Sequence, residues 1–246
     1  ERGTLWAKLR PYVMIAPAMT GIFVFVLWPM VYLIYLSLYK YNLLNKDKSV
    51  FVGLNNYVRI FSREDFYVSL SNTAVYTFGV VASTMILSLA AALWLNKRRW
   101  LNSLVQAGMF TPHIISIVSI ALVWMWMMEP SIGFLNFLLK SFGLPPSRWL
   151  QSSDTAMFSI ILVSVWQNIG YYALIITAAL QSIPPSIYEA AALDNAKPYQ
   201  VFFKLTLPMI SPQLFFILII MTIGSFKIFD TVRIMTNGGP NNSTST

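Results

Sequence analysis

The chain has 246 residues, of which 57% are hydrophobic and only 11% are charged, and its formal net charge is +8. An ordinary soluble domain carries about 25% charged residues, so this composition excludes a typical soluble globular protein. The basic residues are scattered between long apolar runs and form no stripe. That distribution argues against nucleic acid as a partner and favours loops that lie beside anionic lipid headgroups.

Five long uncharged runs indicate membrane-spanning helices. Each run exceeds the roughly 20 residues that a helix needs to cross the hydrocarbon core of a bilayer. The runs do not alternate polar and apolar residues as barrel strands do, and a backbone in lipid must satisfy its own hydrogen bonds. We therefore predict an all-α integral membrane protein, a polytopic helical bundle forming one transmembrane domain over 1–246. Its helices are predicted near 12–38, 72–96, 103–128, 156–181 and 207–229.

The orientation follows from a short basic loop. Residues 97–99 read Lys-Arg-Arg and are flanked by Trp94 and Trp100, which is the clearest positive-inside signal in the chain. Together with the basic residues among the first ten positions, this loop predicts a cytoplasmic N-terminus. The loops 39–71 and 129–155 are then external, and the loop 182–206 is cytoplasmic.

The predicted external segments carry structure of their own. Residues 51–71 alternate aromatic and charged residues, which suits a helix lying at the membrane interface. Residues 133–150 are typical of a short helix, a turn and an aromatic anchor. The polar segment 231–246 is expected to be an interrupted external loop, with a sixth helix beyond Thr246.

The loop 182–206 is the most informative stretch. Pro184 and Pro185 end the preceding helix, and Ser186 with Glu189 matches a capping box that starts a short helix. Asn195 is expected to end this helix in a left-handed conformation. A second short helix is predicted from 197 to 204, and Pro208 and Pro212 then open the fifth crossing.

Two interpretations of this loop stay open on the residues alone. Two angled helices with the apolar anchors Tyr188, Phe202 and Phe203 would form a knob that fills a groove on another protein. Alternatively, Glu189 only caps its helix and the aromatic side chains only lie on the headgroups.

Helix four carries polar groups near mid-membrane, where unpaired polar groups are costly. They are Gln167, Asn168, Tyr171 and Tyr172. The last three are predicted to share one helical face, and they would either line a sugar pathway or bond to neighbouring helices. Elsewhere, residues 111–113 predict a kink in helix three. Lys227 and Asp230 are expected to pair with each other or reach the headgroups, with gating as the other role.

Other classes of membrane protein fit less well. A secondary transporter, the alternative from a different class, would need ionisable residues inside the membrane, and the cores of the five runs have none. An enzyme needs a cluster of carboxylates or histidines or a nucleophile–base pair, whereas this chain has only His113 and no cysteine. We therefore expect no catalytic residue, no metal site and no cofactor bound by this chain. It also lacks G-x-x-x-x-G-K-[ST], which predicts that it does not hydrolyse ATP.

Residues 189–208 resemble the EAA loop of permeases in bacterial binding-protein-dependent ABC importers. The family pattern is Glu-Ala-Ala, two residues, Asp-Gly-Ala and later Leu-Pro. The matching residues are Glu189, Ala190, Ala191, Asp194, Ala196, Leu207 and Pro208, and Asn195 replaces the family glycine. Further stretches are similar to the maltose-type and glycerol-phosphate-type branch. They are 53–57, 72–73, 179–184 and 236–240.

The resemblance implies a type I importer permease in the cell inner membrane. Its expected partners are a dimer of separate ATPase subunits, which would bind ATP and Mg²⁺, a second homologous permease chain and an external binding protein. The ATPase-coupling residues implied are Tyr188, Glu189, Ala190, Ala191, Asp194, Asn195, Ala196, Phe202 and Phe203. The expected cargo is a di- or oligosaccharide, with glycerol phosphate or another polar solute as the alternative.

Overall fold

The structure is a computed structural model that describes residues 5–42, 49–96 and 100–246. The basic triplet 97–99, on which the predicted orientation depends, lies outside these residues. The chain divides into two compact units, Glu1–Phe66 and Tyr67–Thr246, and each is described by itself. The prediction of one transmembrane domain over 1–246 stays a prediction.

The first unit contains one long membrane span, Lys8–Ser37. It consists of α1 (Leu5–Ile22), a π-helical segment (Phe23–Leu27) and α2 (Trp28–Ser37). In the π segment the hydrogen-bonded ring widens, because the Trp28 N–H donates to the Phe23 carbonyl five residues back. Proline follows at position 29, and a wider turn leaves space for a ring that would clash with the carbonyl of an ordinary α-helix.

A small two-stranded sheet and a helix follow this span. Strands β1 (Tyr39–Lys40) and β2 (Val50–Phe51) pair antiparallel, and α3 runs from Asn55 to Phe61. The Asn56 amide donates to the carbonyls of Ser37 and Tyr39 at 2.8 and 3.0 Å. The Ser37 carbonyl is in the last turn of α2, where carbonyls lack a partner within the helix, and Tyr39 is in β1, so Asn56 joins the end of the span to the sheet.

The second unit is built around helix α8 (Ser153–Gln181). The other long helices are α4 (Glu64–Leu95) and α11 (Leu207–Phe226), and three buried apolar clusters join α8 to its neighbours. Against α5 (Trp100–Ile114) the packing is close, because a Cβ at Gly170 would overlap the Met109 carbonyl. Gly170 therefore allows two helix backbones to meet directly.

The third crossing is broken, in agreement with the kink predicted at residues 111–113. Helix α5 ends at Ile114, α6 runs from Ile117 to Met127, and the two are bent by 100°. Pro112 lies in the last turn of α5 and cannot donate a backbone hydrogen bond. The described residues thus contain four helices long enough to span a membrane, or five if the bent pair is one span.

Several predicted boundaries differ from the structure. Helix α4 begins at Glu64 instead of 72, so the expected interfacial helix at 51–71 is replaced by β2, α3 and the first turns of α4. The fifth span runs continuously over Pro198–Phe226, and the separate helix predicted at 197–204 is its first part. This span comprises α10 (Pro198–Val201), a second π segment (Phe202–Thr206) and α11.

The remaining elements lie at one end of α8. Helix α7 (Phe134–Ser141), a turn at Gly143 and the short 3-10 turn Trp149–Gln151 match the helix, turn and anchor predicted there. Helix α12 (Asp230–Met235) is followed by a compact loop that reaches Thr246. Asn72 of α4 holds this loop by donating to the Asn242 and Ser245 carbonyls at 2.8 and 2.9 Å.

Candidate coupling loop and membrane cavity

The EAA-like helix, α9, runs from Pro185 to Leu193 and starts without the predicted capping box. Pro184 occupies the N-cap position and Pro185 the first helical position, where its lack of an N–H costs nothing. The expectation that Ser186 and Glu189 cap the helix is therefore wrong. Glu189 is exposed, and within the described part of the chain its carboxylate makes no hydrogen bond or ion pair.

The end of α9 confirms the predicted left-handed asparagine. Asn195 has φ of +50°, and its N–H donates to the Ala192 carbonyl at 3.1 Å. The Ala196 N–H donates to the Ala191 carbonyl at 3.0 Å. This pair of bonds is a Schellman motif, which usually has glycine at the left-handed position. Asparagine thus supplies the geometry for which the family pattern has glycine.

The coupling residues predicted from the resemblance divide by exposure. Glu189, Ala190, Asp194, Asn195 and Phe203 are exposed, whereas Tyr188, Ala196 and Phe202 are half-buried and Ala191 is buried. The Tyr188 hydroxyl lies 3.3 Å from the Thr206 hydroxyl, and its ring packs on the cluster between α8 and α11. Tyr188 therefore attaches the loop to the bundle, whereas Ala191 lies in the loop itself.

The loop also contains a groove. Helix α9 and the start of the fifth span enclose a cleft of about 470 Å³. Leu193 lies outside the lining of this cleft and has 85% of its surface exposed. Leu193 and Tyr199 are exposed apolar side chains that the sequence analysis missed. The signal was available for Leu193, because it lies four residues after Glu189 and shares its helical face.

A polar cavity of about 170 Å³ lies within the membrane-spanning part, between α4, α8 and α11. Its polar lining comes from Tyr76, Thr84, Asn168, Tyr172 and Ser225. None of the described residues that line it is charged. The Thr84 hydroxyl is buried and has no hydrogen-bond partner among the described residues.

The predicted polar face of helix four is only partly correct. Asn168 and Tyr172 line the cavity, and the Asn168 amide donates to the Ser164 carbonyl at 2.8 Å. Tyr171 points toward α5 instead, where its ring stacks on His113 with 4.2 Å between ring centroids. Gln167 also lies outside the cavity lining. Residues three apart on a helix diverge by about 60°, which separates Tyr171 from Asn168 here.

Helix α4 contributes cavity residues that the sequence analysis did not identify. Tyr76, Val80, Thr84 and Ser88 recur every fourth residue and are all buried. Tyr76 donates to the Ser164 hydroxyl at 2.8 Å, and Ser88 donates to the Ile169 carbonyl at 3.0 Å. Tyr76, Thr84 and Ser88, the polar members of this four-residue repeat in an apolar run, were a readable signal of a face directed at another helix.

Lys227 and Asp230 do not pair with each other, so contact with the headgroups, or gating, stays their predicted role. Both side chains are exposed, and the ion pair formed among the described residues is that of Arg63 with Asp65. Lys227 instead lies at the C-terminal end of α11, where a cation interacts favourably with the helix dipole.

Comparison with known proteins identifies the family. Residues 77–246 match the family described as "Binding-protein-dependent transport system inner membrane component". The trehalose/maltose transport system permease protein MalF of Thermococcus litoralis is 34% identical over 97% of this chain and 80% of its own length. The sn-glycerol-3-phosphate transport system permease protein UgpA of Yersinia pestis is 34% identical over 96% and 80%.

A solved structure has the same fold. It is the crystal structure of a bacterial alginate ABC transporter in complex with a periplasmic protein that binds an alginate pentasaccharide. The match has a TM-score of 0.83 and 24% sequence identity, and it covers 99% of this chain and 82% of that chain. These comparisons confirm the predicted fold class and the predicted family. The chain belongs to the inner-membrane permease components of binding-protein-dependent transport systems.

Proposed function

We propose that this permease conducts a di- or oligosaccharide delivered by an external binding protein. The observation that carries the proposal is the uncharged cavity of hydroxyl, amide and tyrosine groups between α4, α8 and α11. Sugars offer hydroxyls to such donors and acceptors and flat faces to aromatic rings. The 34% identity to a trehalose/maltose permease supports the same class of cargo.

The cavity takes part of such a solute and not all of it. Pockets that enclose a whole drug-sized ligand measure about 300–1,000 Å³, and this cavity holds about 170 Å³. One sugar ring would lie between Asn168 and Tyr172, and a second, homologous permease chain would supply the remainder of the pathway.

Glycerol phosphate is the second candidate cargo, because the UgpA relative matches 96% of this chain. A phosphate ester favours an arginine or lysine partner, and the described lining residues include neither. In that case the cation would come from the partner permease.

Coupling to ATP is assigned to the loop 182–206. We propose that its exposed surface docks on one subunit of an ATPase dimer, which binds ATP and Mg²⁺ while this chain binds neither and carries out no catalysis. Glu189 supports the role, since an exposed carboxylate without an internal partner is free to accept hydrogen bonds from another protein. The loop and the N-terminal end of the chain would then lie in the cytoplasm.

Two pairs of substitutions test cargo and coupling separately in the reconstituted transporter. Tyr172→Ala should lower uptake of the transported sugar while leaving the ATPase complex intact, whereas Tyr171→Ala, outside the cavity, is the matched control. Glu189→Lys should abolish transport-linked ATP hydrolysis, and Glu64→Lys, which reverses an exposed carboxylate outside the coupling loop, is its control. The cargo proposal is wrong if Tyr172→Ala lowers assembly and uptake equally for every solute. The coupling proposal is wrong if the transporter that carries Glu189→Lys hydrolyses ATP at the normal transport-linked rate.

A further inference from the structure

Helix α7 and the residues that flank it carry clustered apolar side chains that are largely exposed, the least exposed being Phe134 at 45%. Phe134 and Phe137 lie on the outer side of α7 with ring centroids 6.5 Å apart, and Phe137 is 65% exposed. Ile132 before the helix and Phe142 after it are 74% and 79% exposed. These four side chains form what we call the α7 apolar face. In water this much clustered apolar surface is unfavourable, so the face requires a covering.

The segment that carries this face is held rigidly. Asn136, which is 2% exposed, lies on the opposite side of α7. Its amide donates to the Pro130 and Ser147 carbonyls at 2.9 and 2.8 Å. Its oxygen accepts from the Ser147 N–H at 3.0 Å and from the Trp149 indole at 2.8 Å. All the hydrogen-bonding positions of one buried amide therefore join the two ends of the segment.

The hydrogen bonds of Asn136 also connect the segment to a membrane span. Trp149 has φ of +42°, an unfavourable conformation for a bulky side chain, and its indole bond to Asn136 helps to maintain it. The Thr155 hydroxyl donates to the Trp149 carbonyl, which attaches the turn to the first residues of α8. Since α8 starts at Ser153 and crosses the membrane, α7 is fixed close to the membrane boundary.

The charge of the segment agrees with a lipid surface. Glu129 and Asp154 flank the segment at its two ends, and between them the charged residues are Lys140 and Arg148. Lys140 is exposed and borders the apolar face. Aromatic residues on one side and basic residues beside them are typical of helices that lie in the headgroup region, with the apolar side in the acyl boundary.

We propose that α7 is an interfacial anchor: the α7 apolar face lies in the acyl boundary of the bilayer, and Lys140 and Arg148 contact lipid phosphates. The anchor sets the depth of α8 in the membrane, because the hydrogen bonds of Asn136 and Thr155 fix α7 relative to the first turn of that span. The occupant of this face is therefore phospholipid and not a protein partner.

Single cysteines test the proposal, since the native chain has none. The variants are Phe137→Cys on the face and Lys197→Cys in the exposed loop before α10, each labelled with an environment-sensitive NBD fluorophore. In nanodiscs containing lipids spin-labelled near the headgroup, quenching at position 137 should exceed that at 197 about twofold or more, because an interfacial helix is buried about 5–10 Å deep. In lipid-free amphipol this difference should disappear.

A second measurement tests the basic residues. Adding phosphatidylglycerol to the phosphatidylcholine nanodiscs should increase the quenching at position 137, and Lys140→Gln with Arg148→Gln should remove that response without changing the oligomeric state. Equal quenching at 137 and 197 would show that the face is in water and overturn the proposal. A fluorophore at 137 that is shielded in amphipol and unaffected by quencher lipids would also overturn it, in favour of a protein partner.

Discussion

The close crossing of α5 and α8 gives the sharpest test of the fold. Gly170→Ala would place a Cβ on top of the Met109 carbonyl, and the obstacle is backbone that cannot rotate away. Extra atoms in a well-packed interior cost about 1–3 kcal/mol, and a backbone obstacle belongs at the upper end. At about 2–4 °C per kcal/mol for a chain of this size, the melting temperature should fall by about 5–10 °C.

Two other glycines are matched controls for this substitution. Gly108 precedes Met109 on the same helix, and a Cβ there meets nothing within 4 Å. A Cβ at Gly79 would lie 2.8 Å from Ile161 Cδ1, the end of a flexible side chain. Gly108→Ala should therefore be neutral or stabilising by up to about 1 kcal/mol through helix propensity, and Gly79→Ala should be nearly neutral after a rotamer change.

The assay is thermal unfolding of the purified permease in one detergent, followed by size-exclusion chromatography with fluorescence detection. The expected order of melting temperatures is Gly108→Ala highest, then Gly79→Ala, then Gly170→Ala. If Gly170→Ala has the same melting temperature as the wild type, the two backbones do not meet at this point, and the packing described for α5 and α8 is incorrect.

The remaining predictions concern the coupling loop and the orientation. Asn195→Gly should preserve coupled transport. Asn195→Val should weaken the end of α9 by about 1–2 kcal/mol, because a β-branched side chain cannot bond locally and tolerate the left-handed conformation as asparagine does. Faster hydrogen exchange at Ala196 in the valine variant alone would confirm this, and equal exchange in both would refute it. A cysteine at Ser49 should react with an impermeant maleimide from outside, and one at Ser103 only from the cytoplasm; the opposite labelling would reverse the proposed topology.

The sequence predicted the spans because hydrophobic length is a property of each segment alone. The left-handed Asn195 was predictable for the same reason, since local backbone preference determines it. The capping box was not, because the spacing of Ser186 and Glu189 is the same whether the helix starts at Pro185 or, as the box requires, two residues later at Ile187. A proline at the first helical position moved the start and left the serine inside the helix.

The polar face of α8 shows the limit of reasoning from one helix. Spacing placed Asn168, Tyr171 and Tyr172 together, but the neighbours of α8 decide which of these groups share a cavity. Tyr171 has His113 as its stacking partner on α5, and α4 supplies Tyr76 and Thr84 on the other side. Such groupings depend on contacts between residues far apart in the chain.

The second π-helical segment, Phe202–Thr206, joins the coupling loop to the fifth span without a break. A proline at position 208 was expected to separate them, but the wider ring between Leu207 and Phe202 accommodates it. The last part of the loop is therefore the first part of the fifth span, and Pro198–Phe226 forms one continuous lever of 29 residues. At 1.5 Å per residue the lever is about 44 Å long, so a tilt of about 10° at Pro198 displaces Phe226 by about 8 Å at the opposite membrane surface.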